Sequence, residues 1–316
     1  MIQDSTFRRV PLNMFSQSFD HSSSSLSLDP LTRNIELSQR SFRSVSDFRK
    51  AKQKGRKISM LSVYDAVFAR LAVEAGVNTI LVGDSVAMAL YGFESTIHAT
   101  VEMMASHSAA VRRACPSIFL VADLPFGSYR RGVKAAMKAV ETLARAGASA
   151  VKLEGVAGNE KVISHIVESG IPVMGHIGLT PQSVLALGGY KVQGVTEEAA
   201  ARLIEDAKKL EDLGAFSLVL ECVSRSLGSR ISSHLSTLAT LATLAIPVIG
   251  IGAGAEVDGQ VLVASDLLGL SSHPGGRTPR FVRKYLDGAA LVSKAFEEFF
   301  RQIDRSEYPS EAESYD

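Results

Sequence analysis

The architecture predicted for this 316-residue chain is an α/β protein folded as a (β/α)8 barrel. Eight short apolar runs recur between residues 58 and 266. Near-continuous Val/Ile/Leu runs of this kind mark parallel strands covered on both faces. Between most of them lie segments of helical period, several ending on a glycine. Five of the runs stop on a polar, chemically useful residue: TILVGD at Asp84, IFLVAD at Asp123, AVKLE at Glu154, PVMGH at His176 and SLVLE at Glu221. Ligands of α/β sheets collect beyond the carboxyl ends of the strands, so this pattern points to a site.

The first 44 residues hold eleven serines, five arginines, no lysine and no sustained hydrophobic period, which reads as a disordered extension. Arg- and Ser-rich composition also fits an organellar transit peptide, although Asp4, Asp20, Asp29 and Glu36 weigh against one. Residues 45–309 form the expected barrel domain, and residues 310–316 a polar tail. The expected strands are ISMLSVYD, TILVGDS, SIFLVAD, AVKLEG, IPVMGHIG, FSLVLECV, IPVIGIGAG and QVLVASD. AVFARLAVEAG, VKAAMKAVETLARAG and EAAARLIEDAKKLEDLG are helices, each with a glycine placed for a C-terminal cap.

Between Gly254 and Gln260 there is no room for a helix. Either the seventh crossover is irregular or one strand is miscounted. SSHPGGRTPRF reads as a loop, SKAFEEFFRQI as an amphipathic closing helix, and the acidic, polar end as a frayed tail.

Several function classes are excluded by composition. The net charge is +1 with scattered basic residues, so no nucleic-acid-binding face is expected. Cys115 and Cys222 are too few for a disulfide framework and imply a reducing, intracellular compartment. That compartment is mitochondrial if the extension is a transit peptide and cytoplasmic otherwise. Leu235 to Ala255 carries no charge, but Pro247 and Gly250, Gly252 and Gly254 interrupt it. With Leu235, Leu238, Leu241 and Leu244 at every third position, it reads as a short helix entering a buried strand, and no membrane span is expected.

Side chains alternate across a strand, so Lys152 and Glu154 of VKLEG point into the barrel while Val151 and Leu153 point out. Asp84, Asp123 and Glu154 are hard oxygen donors with no His or Cys beside them in sequence, a set that suits magnesium better than zinc. Taken singly, Asp84 or Asp123 could instead cap the following helix, and Lys152 with Glu154 could be a structural ion pair. Glu221, at the barrel mouth on the face of Val219, is the candidate general base, because partial desolvation raises a carboxyl pKa toward the working pH. A salt bridge is its alternative role. His176 could be a second acid or base, or could only orient a neighbour. GGYKVQG and GIGAG are glycine-rich turns, but neither follows the GxGxxG pattern, so no nicotinamide cofactor is inferred. Cys222 is expected to be a small core residue.

From about Val45 to Pro309 the chain resembles the ketopantoate (3-methyl-2-oxobutanoate) hydroxymethyltransferases of pantothenate biosynthesis. KISMLSVYDAVFA, LVGDS, VADLPFGSY, AVKLEG, PVMGHIGLTPQSVLALGGYKVQG, LVLECV and IPVIGIGAGAEVDGQVLV carry the likeness. The resemblance implies a TIM barrel of the phosphoenolpyruvate/pyruvate-binding type and a homo-oligomer, typically a decamer. It implies bound magnesium at Asp84 and Asp123, with Glu154 reaching the ion directly or through water. It places the 2-oxo acid substrate at Ser85 and Lys152 together with the two aspartates, Glu221 as proton acceptor, and 5,10-methylenetetrahydrofolate as one-carbon donor. Ala87, His98, Val156 and Ser224 depart from the family pattern, which has Gly, Pro, Gly and Pro there; Ala87 and Val156 are expected to narrow the metal site. Two competing readings are a lyase or mutase of the same barrel superfamily acting on another 2-oxo acid, and a non-catalytic oligomeric paralogue.

Overall fold

The computed structural model describes residues 40–232, 246–271 and 278–315. Eight parallel strands close in sequence order, with the first pairing the last. They are β1 (Ile58–Ser62), β2 (Thr79–Val82), β3 (Leu120–Asp123), β4 (Ala150–Glu154), β5 (Val173–Gly178), β6 (Ser217–Glu221), β7 (Val248–Ile251) and β8 (Gly259–Val263). Seven fall inside the predicted runs, and β8 starts one residue before its run, at Gly259. No helix separates β7 from β8, so the irregular seventh crossover is the correct reading and the strand count stands.

A helix α1 (Val45–Gln53) precedes the barrel, and α2 (Ala66–Glu74) makes the first crossover. The second contains α3 (Val86–Ala89), a 3-10 turn at Thr96–His98 and α4 (Val101–Ala114). Then come α5 (Val133–Arg145), α6 (Glu160–Glu168), α7 (Glu197–Asp212), α8 (Arg225–Ser232), α9 (Ala264–Leu267) and the closing helix α10 (Gly288–Asp304). Local chemistry fixes the starts: Asp65 accepts from the backbone N–H of Val67 and Phe68, Thr100 from Met103 and Thr196 from Ala199. The predicted C-terminal glycines Gly76, Gly147 and Gly214 all have left-handed φ.

Period-2 alternation divides the apolar residues into two layers. Ile80, Val82, Leu120, Ala122, Val151, Leu153, Leu218 and Leu220 face outward to the helices. Met60, Leu81, Val121, Ala150, Met174, Val219, Ile249 and Val261 fill the barrel. Fully buried Phe48 of α1 joins that inner cluster and packs edge-on against Phe42, Phe119 and Phe216 at 4.8 to 5.2 Å. It plugs the barrel at its amino-terminal end, leaving the opposite end for chemistry.

The expected boundary at residue 44 needs correction. Phe42 N–H donates to Asn78, and its carbonyl accepts from Phe119 N–H, so the packed unit begins before α1. Phe42 has no place in a helical period, but its ring fills the plug. Residues 1–39, the Leu235–Leu244 segment and 272–277 of the predicted loop lie outside the described residues. Among the described residues no helix is long and apolar enough to cross a membrane.

Candidate active site

Strand register assembles the site. Asp123 stands opposite Lys152 between β3 and β4, Glu154 opposite His176 between β4 and β5, and Gly178 opposite Glu221 between β5 and β6. Lys152 Nζ lies 2.9 Å from Asp123 Oδ1 and 3.3 Å from His176 Nδ1. His176 bridges two carboxylates, with Nδ1 3.5 Å from Glu154 Oε1 and Nε2 3.2 Å from Glu221 Oε2. All of these side chains are buried except that of Glu221, which keeps 14% of its surface exposed at the mouth. The six predicted site residues thus gather at one end of the barrel.

Asp84 and Asp123 are not helix caps. Asp123 Oδ2 accepts from the backbone N–H of Asp84 at 3.0 Å, and Asp84 Oδ2 accepts from Gln182 Nε2 at 2.7 Å. Ser85 Oγ pairs with the hydroxyl of buried Tyr64 at 2.7 Å, and Ser62 donates to Tyr64 from the other side. Gly83 makes this crowding possible, since a Cβ there would meet Ser85 Oγ at 2.9 Å, Ser62 Oγ at 3.0 Å and Asp123 Oδ2 at 3.5 Å. Gly178 does the same for Glu221: its φ is +89°, and a Cβ would fall 2.2 Å from the Glu221 carbonyl oxygen.

Burial of so many charges perturbs them. Burial, then repulsion from Asp123 and Glu154, pushes the Asp84 carboxyl well above the usual range. Burial also raises Asp123, against the pull of Lys152. Burial disfavours the charged form of Glu154 too, but His176 and Lys152 outweigh it and hold its pKa below the ordinary value. For Lys152 burial opposes the ammonium, yet Asp123, Glu154 and Asp84 prevail and raise it. Burial and Lys152 work against a charged His176, while Glu154 and Glu221 carry it up to about 9.

The donor set fits a hard divalent cation. Three buried carboxylates surround one ammonium, which leaves a surplus of negative charge. Each carboxylate has one oxygen fixed by a neutral N–H group: Asp84 Oδ2 by Gln182 Nε2, Asp123 Oδ2 by the Asp84 N–H and Glu154 Oε2 by the Gln182 N–H. Of the second oxygens, Asp123 Oδ1 and Glu154 Oε1 are buried without an aligned hydrogen bond and face the cations Lys152 at 2.9 Å and His176 at 3.5 Å. Among the described residues no three His, Cys, Asp or Glu side chains close into a cage. Magnesium does not require one, because it is commonly held by one or two carboxylates plus waters and substrate oxygens.

Residues the sequence reading passed over complete the site. Gln182, in the turn after β5, and Tyr129, after β3, are buried against Asp84 and Glu154; both stand inside motifs that carried the resemblance. His176 is placed to orient Glu221, and no Lys or Arg salt bridge occupies that carboxylate among the described residues. The GGYKVQG loop is tied beside Glu221 by the Gln193 N–H, which donates to the Cys222 carbonyl at 2.7 Å. Tyr190 of this loop has its hydroxyl pKa raised by burial and by Glu221, Asp84 and Glu154. Cys222 is half-buried with φ of 49°, so it turns the chain out of β6 and is not the core residue expected.

The departures from the family pattern are explained locally. Ala87 and Val156 are buried in the outer apolar layer, so they pack behind the site, contrary to the expectation that they narrow it. Ser224 Oγ accepts from Leu227 N–H at the start of α8, and the exposed His98 ring stacks on Phe93 at 4.7 Å.

A closed (β/α)8 barrel with carboxylates and a lysine on the carboxyl ends of its strands defines the class of protein. Solved structures of that shape include a phosphoenolpyruvate phosphomutase from Streptomyces platensis subsp. rosaceus, with TM-score 0.56 and 15% identity over 82% of this chain and 88% of that one. Phosphonopyruvate hydrolase, in complex with oxalate and magnesium, gives TM-score 0.53 and 14% identity over 88% and 93%. A family model described as ketopantoate hydroxymethyltransferase matches residues 43–311, and the chain belongs to that family. A 3-methyl-2-oxobutanoate hydroxymethyltransferase of Bdellovibrio bacteriovorus is 48% identical over 86% of this chain and 99% of its own length. One from Coxiella burnetii is 47% identical over 83% and 95%. The lyases and mutases share the fold at far lower identity.

Proposed function

We propose that the chain transfers a hydroxymethyl group from 5,10-methylenetetrahydrofolate to 3-methyl-2-oxobutanoate, giving 2-dehydropantoate for pantothenate synthesis, with magnesium bound. The observation that carries this reading is the triad of buried carboxylates, each with one oxygen fixed by an N–H group, set between Lys152 and Glu221. The activity for which its relatives are named supports it.

Asp84 and Asp123 would hold the ion, with Glu154 direct or through water. The chemistry the ion supplies when bound is Lewis-acid withdrawal from the 2-oxo acid, which acidifies the carbon next to the keto group. Ser85 and Lys152 bind the oxo acid, and the Lys152 ammonium stabilises the negative charge that develops on its keto oxygen. Glu221, steadied by His176, takes the proton from the branched carbon. That carbon then bonds to the donor's methylene carbon and tetrahydrofolate leaves. One water enters the overall balance and supplies the oxygen of the new hydroxymethyl group.

The chain would work as a homo-oligomer, a decamer on the family resemblance. The apolar face of α10 supports association, since Leu291, Val292, Phe296, Phe299, Phe300 and Ile303 are exposed on it.

The test is hydrogen exchange at the branched carbon of 3-methyl-2-oxobutanoate in heavy water, followed by NMR with and without magnesium, then with methylenetetrahydrofolate added. Metal-dependent exchange followed by 2-dehydropantoate formation is expected. Glu221→Gln should slow exchange by about 10²- to 10⁴-fold while leaving substrate binding intact. Exchange at the unmutated rate in that variant would remove Glu221 from the role of base.

A further inference from the structure

Gln182 is a buried amide in a 3-10 turn, Pro181–Ser183, that follows β5. Every polar group of its side chain is used. Nε2 donates to Asp84 Oδ2 at 2.7 Å and to the Leu124 carbonyl at 3.1 Å, while Oε1 accepts from the Tyr129 hydroxyl at 2.8 Å. Its backbone N–H donates to Glu154 Oε2 at 2.9 Å. One residue therefore grips the two carboxylates from either side of the site.

The orientation of the amide follows from its neighbours. A reversed amide would turn its carbonyl oxygen toward a carboxylate and a backbone carbonyl, neither of which can donate. Tyr129, whose own hydroxyl also lies 3.3 Å from Glu154 N–H, locks the orientation from behind. Asp84 and Glu154 each have one oxygen fixed by Gln182, and the other oxygen of Glu154, Oε1, is buried without an aligned hydrogen bond, 3.5 Å from His176 Nδ1.

We propose that Gln182 is a positioning residue for the divalent cation: its side-chain and backbone N–H groups fix one oxygen of Asp84 and one of Glu154, so that the other oxygen of each is presented to the ion. The proposal rests on the metal-dependent reading above and adds a residue to it. Neutral donors suit this task. A lysine at position 182 would compete with the cation for the same charge, whereas an amide orients a carboxylate without neutralising it. The backbone contact explains why the turn itself matters, since it survives any side-chain substitution and should keep Glu154 in place.

The test uses Mn2+ as the probe ion, titrated by electron paramagnetic resonance and by calorimetry into full-length protein stripped with EDTA. Gln182→Met keeps the length and removes all three side-chain amide contacts. Its Mn2+ affinity should fall by about 10- to 100-fold, the usual effect of losing a partner of a metal ligand. Tyr129→Phe leaves the amide in place but unlocked, and should weaken affinity less, by several-fold; it also serves if Gln182→Met does not fold. A merely structural role predicts a lower melting temperature of the metal-free variants with unchanged Mn2+ affinity in the folded protein, and that result would overturn the proposal. If unmutated protein takes up no Mn2+, the metal-dependent reading falls and the proposal with it. If unmutated protein binds and both variants bind equally well, only the role of Gln182 is refuted.

Discussion

Replacing Lys152 by methionine tests whether the site is an electrostatic balance or a set of independent groups. The Lys152 side chain is 5% exposed, and its ammonium sits 2.9 Å from Asp123 Oδ1, whose side chain is 3% exposed. At that distance and an effective dielectric of about 20, the attraction is about 6 kcal/mol. The cost of drying both ions offsets part of it. Removing one partner of a buried pair costs about 3 to 5 kcal/mol, because a charge is left without compensation. Asp84 and Asp123 already sit above the ordinary carboxyl range, and loss of Lys152 moves them higher. Lowering the pH lets them take up protons and cancels the penalty. Urea denaturation of metal-free Lys152→Met should therefore show a loss of about 3 to 5 kcal/mol at pH 8, shrinking below about 2 kcal/mol at pH 5. A loss under about 1 kcal/mol at pH 8, or a larger loss at pH 5 than at pH 8, would refute the balance described here.

The pKa of His176 is raised in the folded protein from 6.5 to about 9, so its contribution is complete below pH 6.5 and is lost as the pH rises through about 9. The gap is worth about 3 kcal/mol at about 1.4 kcal/mol per pH unit. The stability difference between metal-free unmutated protein and His176→Gln should shrink by up to that amount between pH 6 and pH 10; a constant difference would exclude a charged imidazole between Glu154 and Glu221. Gly178→Ala drives a methyl group to 2.2 Å from the Glu221 carbonyl at a φ of +89°. It should cost more than about 2 kcal/mol and slow substrate exchange by displacing Glu221, as read by melting and by the NMR assay, whereas unmutated stability and rate would show that β5 and β6 can separate freely. Phe48→Ala empties the plug beneath the barrel and should cost about 3 to 5 kcal/mol, with Mn2+ binding of the folded variant unchanged, because the plug lies at the opposite end from the site.

The barrel was legible because its strands are apolar throughout and its helices are punctuated. Five positions, Asp84, Asp123, Glu154, His176 and Glu221, were legible for a related reason: each ends a buried apolar run, and the combination outweighs the cap or salt bridge that any one of them could be, whereas Ser85 rested on the family resemblance. Strand alternation also assigned the faces of β4 correctly, with Val151 and Leu153 outside and Lys152 and Glu154 inside. What stayed hidden depends on contacts far apart in sequence. Gln182 lies 98 residues from Asp84, and nothing in GLTPQSV shows that its amide reaches across to β2. The left-handed turn at Cys222 is equally silent, since cysteine carries no preference for that conformation. Phe42 falls just before the first helix, where only the packed plug shows that it belongs to the fold.

Register converts these separate signals into a site. Eight in-order parallel strands bring Asp123 beside Lys152, Glu154 beside His176 and Gly178 beside Glu221, so acid and base alternate around the rim from β3 to β6. Each neighbour offsets part of the cost of burying the next. Asp84 is the exception. It stands beyond the end of β2 with no cation as register partner, and it is held by an amide and pushed upward by two carboxylates. Of the four site carboxylates, Asp84 alone has no cation within salt-bridge distance among the described residues, which makes it the position where an added divalent cation gains most. On that reasoning Asp84→Asn should lower Mn2+ affinity while raising the stability of the metal-free protein, because it removes a repelled charge and keeps the shape. A variant that loses both affinity and metal-free stability would show that the Asp84 carboxylate is compensated by a group other than the ion.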